Sequence, residues 1–407
     1  MRWSNFASGT DVHGRGAITF TPDLTDVESL SNGGYLSIRT WSFFIPRTIE
    51  IRSEGGRLTH RYYVSGLSRR YDDDARRWLA DELPTLVRRS GLGAQSRTRQ
   101  ILAAGGVPAV LEEIKRLEGD YARSLYFREL FTALRLDSTN LTKALALAGS
   151  VIHSDFELSR TLRAAAPAAA LDRGSVEAYV NTANDIHSDF ERRRALVALL
   201  QVGGAAPETG DLVLESAARM GSDFEKGIVL RTALETAALD RPDALVPALR
   251  TMRSDFEKRR VVGAVMDRTD LSADARKGLL AGAADIDSDF ECATALIAFA
   301  NKLGVDAATA DPFFAAVRTI DSAFETKRVL TAVVKKTPLA PEVLRGVFDS
   351  VRRMSSDFER AQVLLTMIGV QSLDAASRSA FIAAAESIGS TFEQNRVLAA
   401  LVKAERQ

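Results

Sequence analysis

From about residue 119 the apolar positions of this chain fall into columns that recur roughly every 34 residues. Counted from a phenylalanine in each copy, the fifth position onward is Thr161, Ala195, Val229, Val261, Ala295, Val329, Val363 and Val397. The sixth is Leu162, Leu196, Leu230, Val262, Leu296, Leu330, Leu364 and Leu398. The ninth is apolar from Ala165 to Leu401, and the eighth is always Ala or Thr. At 100° per residue, positions five, six and nine form one stripe, which predicts a core-facing first helix (A) in each copy. The small eighth column is where two helices could approach closely. Four residues before each phenylalanine stands Ile152, Ile186, Met220, Met252, Ile286, Ile320, Met354 or Ile388. These residues close a second helix (B), as in 175–186, 211–220 and 311–320. Loops such as Ala166-Pro167, Ala206-Pro207 and Ala340-Pro341 join A to B.

The phenylalanine belongs to a tetrapeptide, Ser-x-Phe-Glu, present eight times. Its serines are Ser154, Ser188, Ser222, Ser254, Ser288, Ser322, Ser356 and Ser390, and its glutamates Glu157, Glu191, Glu225, Glu257, Glu291, Glu325, Glu359 and Glu393. Six of the seven intervals are 34 residues, and Ser222 to Ser254 is 32. Ser-x-x-Glu is the pattern of a capping box, in which serine accepts from the amide three residues on and glutamate reaches back to the serine amide. The second residue is Asp in six copies, with Ala323 and Thr391 the exceptions. A negative charge there suits the helix dipole. Gly119-Asp120-Tyr121-Ala122 stands 35 residues before Ser154 and reads as a degenerate first member.

The first 70 or so residues carry a different pattern. Segments 16–21, 35–41, 47–52 and 58–65 are rich in β-branched and aromatic residues, and Arg47-Thr48-Ile49-Glu50-Ile51-Arg52 alternates. Gly33-Gly34 and Gly55-Gly56 mark turns, so a small antiparallel sheet of about four strands is expected. From Asp72-Asp73-Asp74 the pattern turns helical to about Arg89, with Pro84 a kink or break and Gly91 and Gly93 closing it. Helices around 94–104 and 107–117 follow as an atypical leading repeat. The expected fold is mostly α: a right-handed α-α superhelix of about nine 34-residue hairpins preceded by a small antiparallel sheet. The expected divisions are 1–71 (sheet), 72–118 (helical capping segment) and 119–407 (solenoid).

Composition narrows the function. Lys+Arg and Asp+Glu are equal at 53 each, so no basic excess points to nucleic acid. Cys292 is the lone cysteine and the four histidines are not ligand-spaced, so no metal site or cofactor is expected. No apolar run is long enough to span a bilayer, and Met1-Arg2-Trp3-Ser4-Asn5-Phe6 lacks a secretory apolar stretch. The expected compartment is cytoplasmic, or periplasmic if a signal or anchor has been removed. No phosphate loop or nucleophile elbow is present. Gly105-Gly106 and Gly203-Gly204 read as helix terminators.

The phenylalanine is the open member of the motif. It lies opposite the core stripe, and the residue four later shares its side. Five copies have arginine there: Phe156 with Arg160, Phe190 with Arg194, Phe256 with Arg260, Phe324 with Arg328 and Phe392 with Arg396. Ile228, Thr294 and Gln362 take the place in the others. In one reading the ring packs against a neighbouring repeat's B helix, with arginine over the ring or paired with an acidic cap. In the other, Phe and Arg form a ladder presented to a partner. His153 and His187, before the serine in two copies only, read as exposed turn residues. The runs Arg192-Arg193-Arg194 and Lys258-Arg259-Arg260 read as solvated faces with local salt bridges.

The length matches a tetratricopeptide repeat, but that consensus is missing, and the chain looks more like a HEAT-like solenoid. The phrase Ser-Asp-Phe-Glu-Lys at 222–226 and 254–258 resembles repeats of bacterial proteins. With Tyr35-Leu36-Ser37-Ile38 and Arg76-Arg77-Trp78-Leu79, it is similar to the extracytoplasmic portions of beta-lactam-sensor-type membrane metallopeptidases. Their His-Glu-x-x-His zinc motif is absent here, so the resemblance implies no peptidase activity. The expected function is non-enzymatic binding or scaffolding of a protein or peptide. The alternatives are an extracytoplasmic sensor module, an accessory subunit of an enzyme complex and, last, an RNA or polyanion binder.

Overall fold

The computed structural model describes residues 2–4, 8–42, 45–202, 208–236, 242–267, 271–371 and 373–404. The joint Ala206-Pro207 and the glycines Gly203-Gly204 lie outside them. The chain forms two compact units, Met1–Ala206 and Pro207–Gln407.

The first unit opens with more strands than the alternation suggests. A six-stranded antiparallel sheet has the order β1 (Arg2–Ser4), β2 (Ser8–Arg15), β5 (Tyr35–Ser42), β6 (Ile45–Glu54), β7 (Arg57–Val64), β8 (Leu67–Arg69). A separate hairpin pairs β3 (Ile18–Phe20) with β4 (Val27–Leu30). Register aligns Val12 with Ile38, Ile38 with Ile49 and Ile49 with Tyr62, which puts one row on the buried face. Helix α1 (Asp73–Ser90) completes this core through Ala75, Trp78, Leu79, Leu83 and Val87. Pro84 does not break it; Asp72 caps its start, and Gly91, at φ 69°, ends it in the left-handed conformation that glycine tolerates best. The expected pair 94–104 and 107–117 is α2 (Ala94–Arg116), kinked where Gly106 leaves helical geometry.

Helical hairpins then stack. In the first unit the A helices are α3 (Asp120–Ala133), α5 (Asp155–Ala169) and α7 (Asp189–Leu200), and the B helices α4 (Ser138–Val151) and α6 (Arg173–Asn184). In the second unit the A helices are α9 (Asp223–Glu235), α11 (Asp255–Val265), α13 (Asp289–Lys302), α15 (Ala323–Val334), α17 (Asp357–Ile368) and α19 (Thr391–Ala404). Between them lie the B helices α8 (Thr209–Ala218), α10 (Val246–Arg250), α12 (Ala273–Ala284), α14 (Ala307–Val317), α16 (Pro341–Arg353) and α18 (Ala375–Glu386). Within each unit, A packs on the next A and B on the next B. The 32-residue interval contains the short B element, a 3-10 turn Pro242–Leu245 running into α10. Ala166-Pro167 is not a loop, because α5 continues through it to Ala169. Pro341 is the first residue of α16, where its missing N–H costs nothing.

The fifth, sixth and ninth columns are buried, and so is each large residue four before the phenylalanine. The exception is Leu398 in the final A helix, which is half-exposed.

The motif aspartate does more than offset a dipole. Asp155 accepts hydrogen bonds from the amides of His187 (3.2 Å) and Ser188 (2.7 Å), in the turn that starts the next A helix. Asp223 does the same for Arg253 and Ser254, Asp289 for Asp321 and Ser322, and Asp357 for Gly389 and Ser390. Asp255 takes the Ser288 amide at 2.8 Å. The degenerate Asp120 holds His153 and Ser154, which makes it a full member here. In several repeats the residue two after the phenylalanine adds a second tie, as a cation on the last carbonyls of a B helix. Lys226 reaches Thr251 O and Oγ1, Lys258 reaches Asp285 O, and Arg360 bridges Met354 O and Ser387 O. Lys226 is buried there, at 1% exposure.

Replacing Asp289 by Ala removes two charge-assisted bonds between repeats. A loss of about 1.5–3 kcal/mol is expected, read from the urea midpoint. Cys292 is buried in α13 with its thiol directed at Ala283 O, and burial pushes its pKa up to about 11. At pH 8 the folded protein should leave a water-soluble thiol reagent unconsumed, and unfolded chain should consume one equivalent.

Candidate functional site

Each motif serine caps its helix. The hydroxyls of Ser154, Ser188, Ser222, Ser254, Ser288, Ser322, Ser356 and Ser390 accept from the amide of the glutamate three residues on, at 3.3–3.4 Å. The expected return bond from glutamate to the serine amide is replaced. Wherever the preceding repeat's aspartate holds that amide, the glutamate turns to a cation instead.

That cation has two sources. Glu157, Glu191, Glu257, Glu325 and Glu393 are buried, and each pairs with the arginine three residues on: Arg160 (3.2 Å), Arg194 (3.0 Å), Arg260 (3.0 Å), Arg328 (2.6 Å) and Arg396 (3.0 Å). Repeats with Thr294 or Gln362 at that place have no such arginine. There the previous repeat supplies the charge, with Arg259 on Glu291 and Lys327 on Glu359 (3.2 Å). Each of these carboxylates thus meets a positive charge, from its own helix or from the neighbouring one. The basic runs make the local salt bridges expected of them, but their side chains are half-buried or buried and do not form solvated faces. In 192–194, Arg192 caps the carbonyls of Asn184 and Ile186, while Arg193 and Arg194 lie over the Phe190 ring.

The phenylalanine is exposed in all eight repeats, by 48% to 73%. Burial against a neighbouring B helix is therefore corrected. The ring projects opposite the stripe that fills the core, and among the described residues no element covers that side. Arg160, Arg194 and Arg260 do what the sequence suggests on both counts, each pairing with its glutamate and lying over the ring of its own repeat. Arg160 stands 5.4 Å from the Phe156 centroid and Arg260 5.6 Å from that of Phe256. Arg259 and Lys327 also lie over Phe256 and Phe324. Arg328 reaches back to the ring of the preceding repeat, 5.5 Å from the Phe290 centroid, so it stands between two rungs. The small eighth column is half-buried at Ala164, Ala198, Ala264, Ala298, Ala332 and Ala400 and lies about 80° round the helix from the ring. Its low side chains leave the rings standing proud.

The first unit presents Tyr121, Phe156 and Phe190 in this way, and the second presents Phe224, Phe256, Phe290, Phe324, Phe358 and Phe392. His153 and His187 are exposed turn residues. Among the described residues no group of three or more His, Cys, Asp or Glu could hold a metal, and no helix is long and apolar enough to cross a membrane. Comparison of the chain with known families, with curated proteins and with solved structures finds no match.

The two cation sources make a rescue experiment possible. Arg259→Ala should strip Glu291 of its counter-charge and cost about 1 kcal/mol. Adding Thr294→Arg to that variant should restore most of the loss, read by chemical denaturation. An unimproved double variant would mean that Glu291 does not need the pair.

Proposed function

We propose that the chain is a non-enzymatic binding protein that holds an extended peptide segment of a partner along the aromatic face of its A helices. The observation that carries this reading is the exposed ring in every Ser-x-Phe-Glu repeat. Covering half-exposed phenylalanines with apolar groups is favourable by about 1–2 kcal/mol per ring. Several in series supply affinity without any deep pocket.

The charges favour a neutral, apolar ligand over a polyanion. The arginines beside the rings already have glutamate partners, so a phosphate backbone would have to displace a buried carboxylate. Spacing favours a particular backbone. Packed helices lie about 8–10 Å apart, and a polyproline II helix turns once in three residues, about 9 Å. Such a peptide would bring a side chain of the same face to each successive ring, the recognition mode of aromatic grooves for proline-rich segments. A flat β-strand repeats its facing side chain after about 6.8 Å and would drift out of phase. The resemblance of the Ser-Asp-Phe-Glu-Lys segments to sensor-type metallopeptidases would place this face in an extracytoplasmic sensor, whose partner would be another component of that system.

The test is a peptide selected from a random library on the intact protein, with binding measured by calorimetry. The triple variant Phe256→Ala, Phe290→Ala, Phe324→Ala should melt within a few degrees of the parent, because exposed side chains contribute little to stability. Its affinity for the selected peptide should fall at least tenfold. Equal affinity would overturn the proposal. Salt-sensitive binding of a single-stranded oligonucleotide that needs the same rings would favour the polyanion reading.

A further inference from the structure

Repeat six, counted from Ser154 and beginning at Ser322, lacks the motif aspartate as the last copy does with Thr391, but here another A helix follows and the departure leaves a shaped hole. Where six Ser-x-Phe-Glu copies have aspartate, this one has Ala323. In the other linkages of the second unit the aspartate oxygens occupy the turn ahead of the next A helix. Here the methyl group of Ala323 offers no acceptor, and among the described residues no hydrogen bond engages the amides of Ser355 or Ser356. The backbone of Ser356 has also relaxed, to φ −106°, whereas its counterparts Ser222, Ser254, Ser288 and Ser322 lie between −68° and −84°.

The space is not filled by neighbouring side chains. A cavity of about 210 Å³ opens at this point, lined by Ala323, Arg318, Asp321, Arg353 and Ser355 among others. Neither arginine makes an ion pair with any described residue, and both are exposed, so their charge is available to the cavity. Asp321 contributes the one negative charge of the lining, against two positive. The geometry is that of a carboxylate site from which the carboxylate has been removed by sequence.

We infer that this cavity binds a small carboxylate ligand, whose oxygens take the Ser355 and Ser356 amides as Asp289 takes those of Asp321 and Ser322 one repeat earlier. Arg318 and Arg353 supply the compensating charge. The chain itself demonstrates the chemistry, since equivalent turns hold a carboxylate at 2.7–2.8 Å in the second unit. The difference is that the carboxylate in repeat six must come from outside. Binding there would tie α15 to α17, so the ligand would stiffen a linkage that Ala323 leaves open. The site does not depend on the aromatic face.

The probe is sodium acetate, titrated against the intact protein at constant ionic strength made up with sodium chloride. Backbone amide signals of Ser355 and Ser356 should shift saturably with acetate and stay fixed with chloride alone. Arg353→Gln, an exposed position, should weaken acetate binding about tenfold. Ala323→Asp should supply the carboxylate internally, raise the melting temperature and abolish the acetate response. Amides unmoved by acetate, moved equally by chloride, or still responsive in Ala323→Asp would each overturn the inference.

Discussion

The stacking within each unit rests on one recurring contact, a carboxylate in the first turn of an A helix held by the backbone of the turn that opens the next, which only the Ala323 repeat of the second unit goes without. The amides it binds precede a helix and have no intrahelical acceptor, so they need an outside partner. The aspartate that provides one is already favoured where it stands by its own helix dipole. A single side chain therefore satisfies two helix starts at once. Because it grips backbone, the neighbour's side chains can vary without loosening it. The residue before the serine is His187, Arg253, Asp321 or Gly389, and its amide is bound all the same.

That grip sets the phase of successive A helices within a unit, and the other columns follow from the phase. The glutamates come to lie half-buried or buried near the neighbouring helix, where an unpaired carboxylate would be costly. A cation can reach each one from two directions, and the chain uses both. Arg260 serves Glu257 from its own helix, and Arg259 serves Glu291 from the helix before. With carboxylates and guanidiniums matched, the face between repeats is close to neutral.

Much of this was legible from periodicity alone. The A helices, their serine caps and their buried columns follow from spacing and need no tertiary information. The aspartate bond could not be read so easily, because its partners are amides some 30 residues away and amides carry no sequence signature. The glutamate's partner was obscured for a related reason. Searching four residues beyond the phenylalanine finds arginine in five copies and misses the substitutes at Arg259 and Lys327, which belong to the preceding repeat. Strand β2 went unread because Ser8-Gly9-Thr10-Asp11 shows no apolar alternation; its pairing along the whole of β5 defines it instead. The exposure of the phenylalanine was implicit in its angle from the core stripe, and the general tendency of large apolar residues toward burial points the other way.

The constancy of that ring separates two reasons for its presence. A phenylalanine kept only as a rest for arginine should change where the arginine changes. Position four after the ring is Arg260, Thr294, Arg328 and Gln362 in consecutive repeats, and the ring before it is phenylalanine each time. Phe358 has no cation over it among the described residues and is still about half-exposed. Nor does core packing require it, since the buried columns are filled by other positions. An apolar side chain that neither the core nor a neighbouring charge demands costs solubility wherever it faces water. Its recurrence at one angle in every copy is the observation on which the proposal of a ligand meeting the rings in series rests.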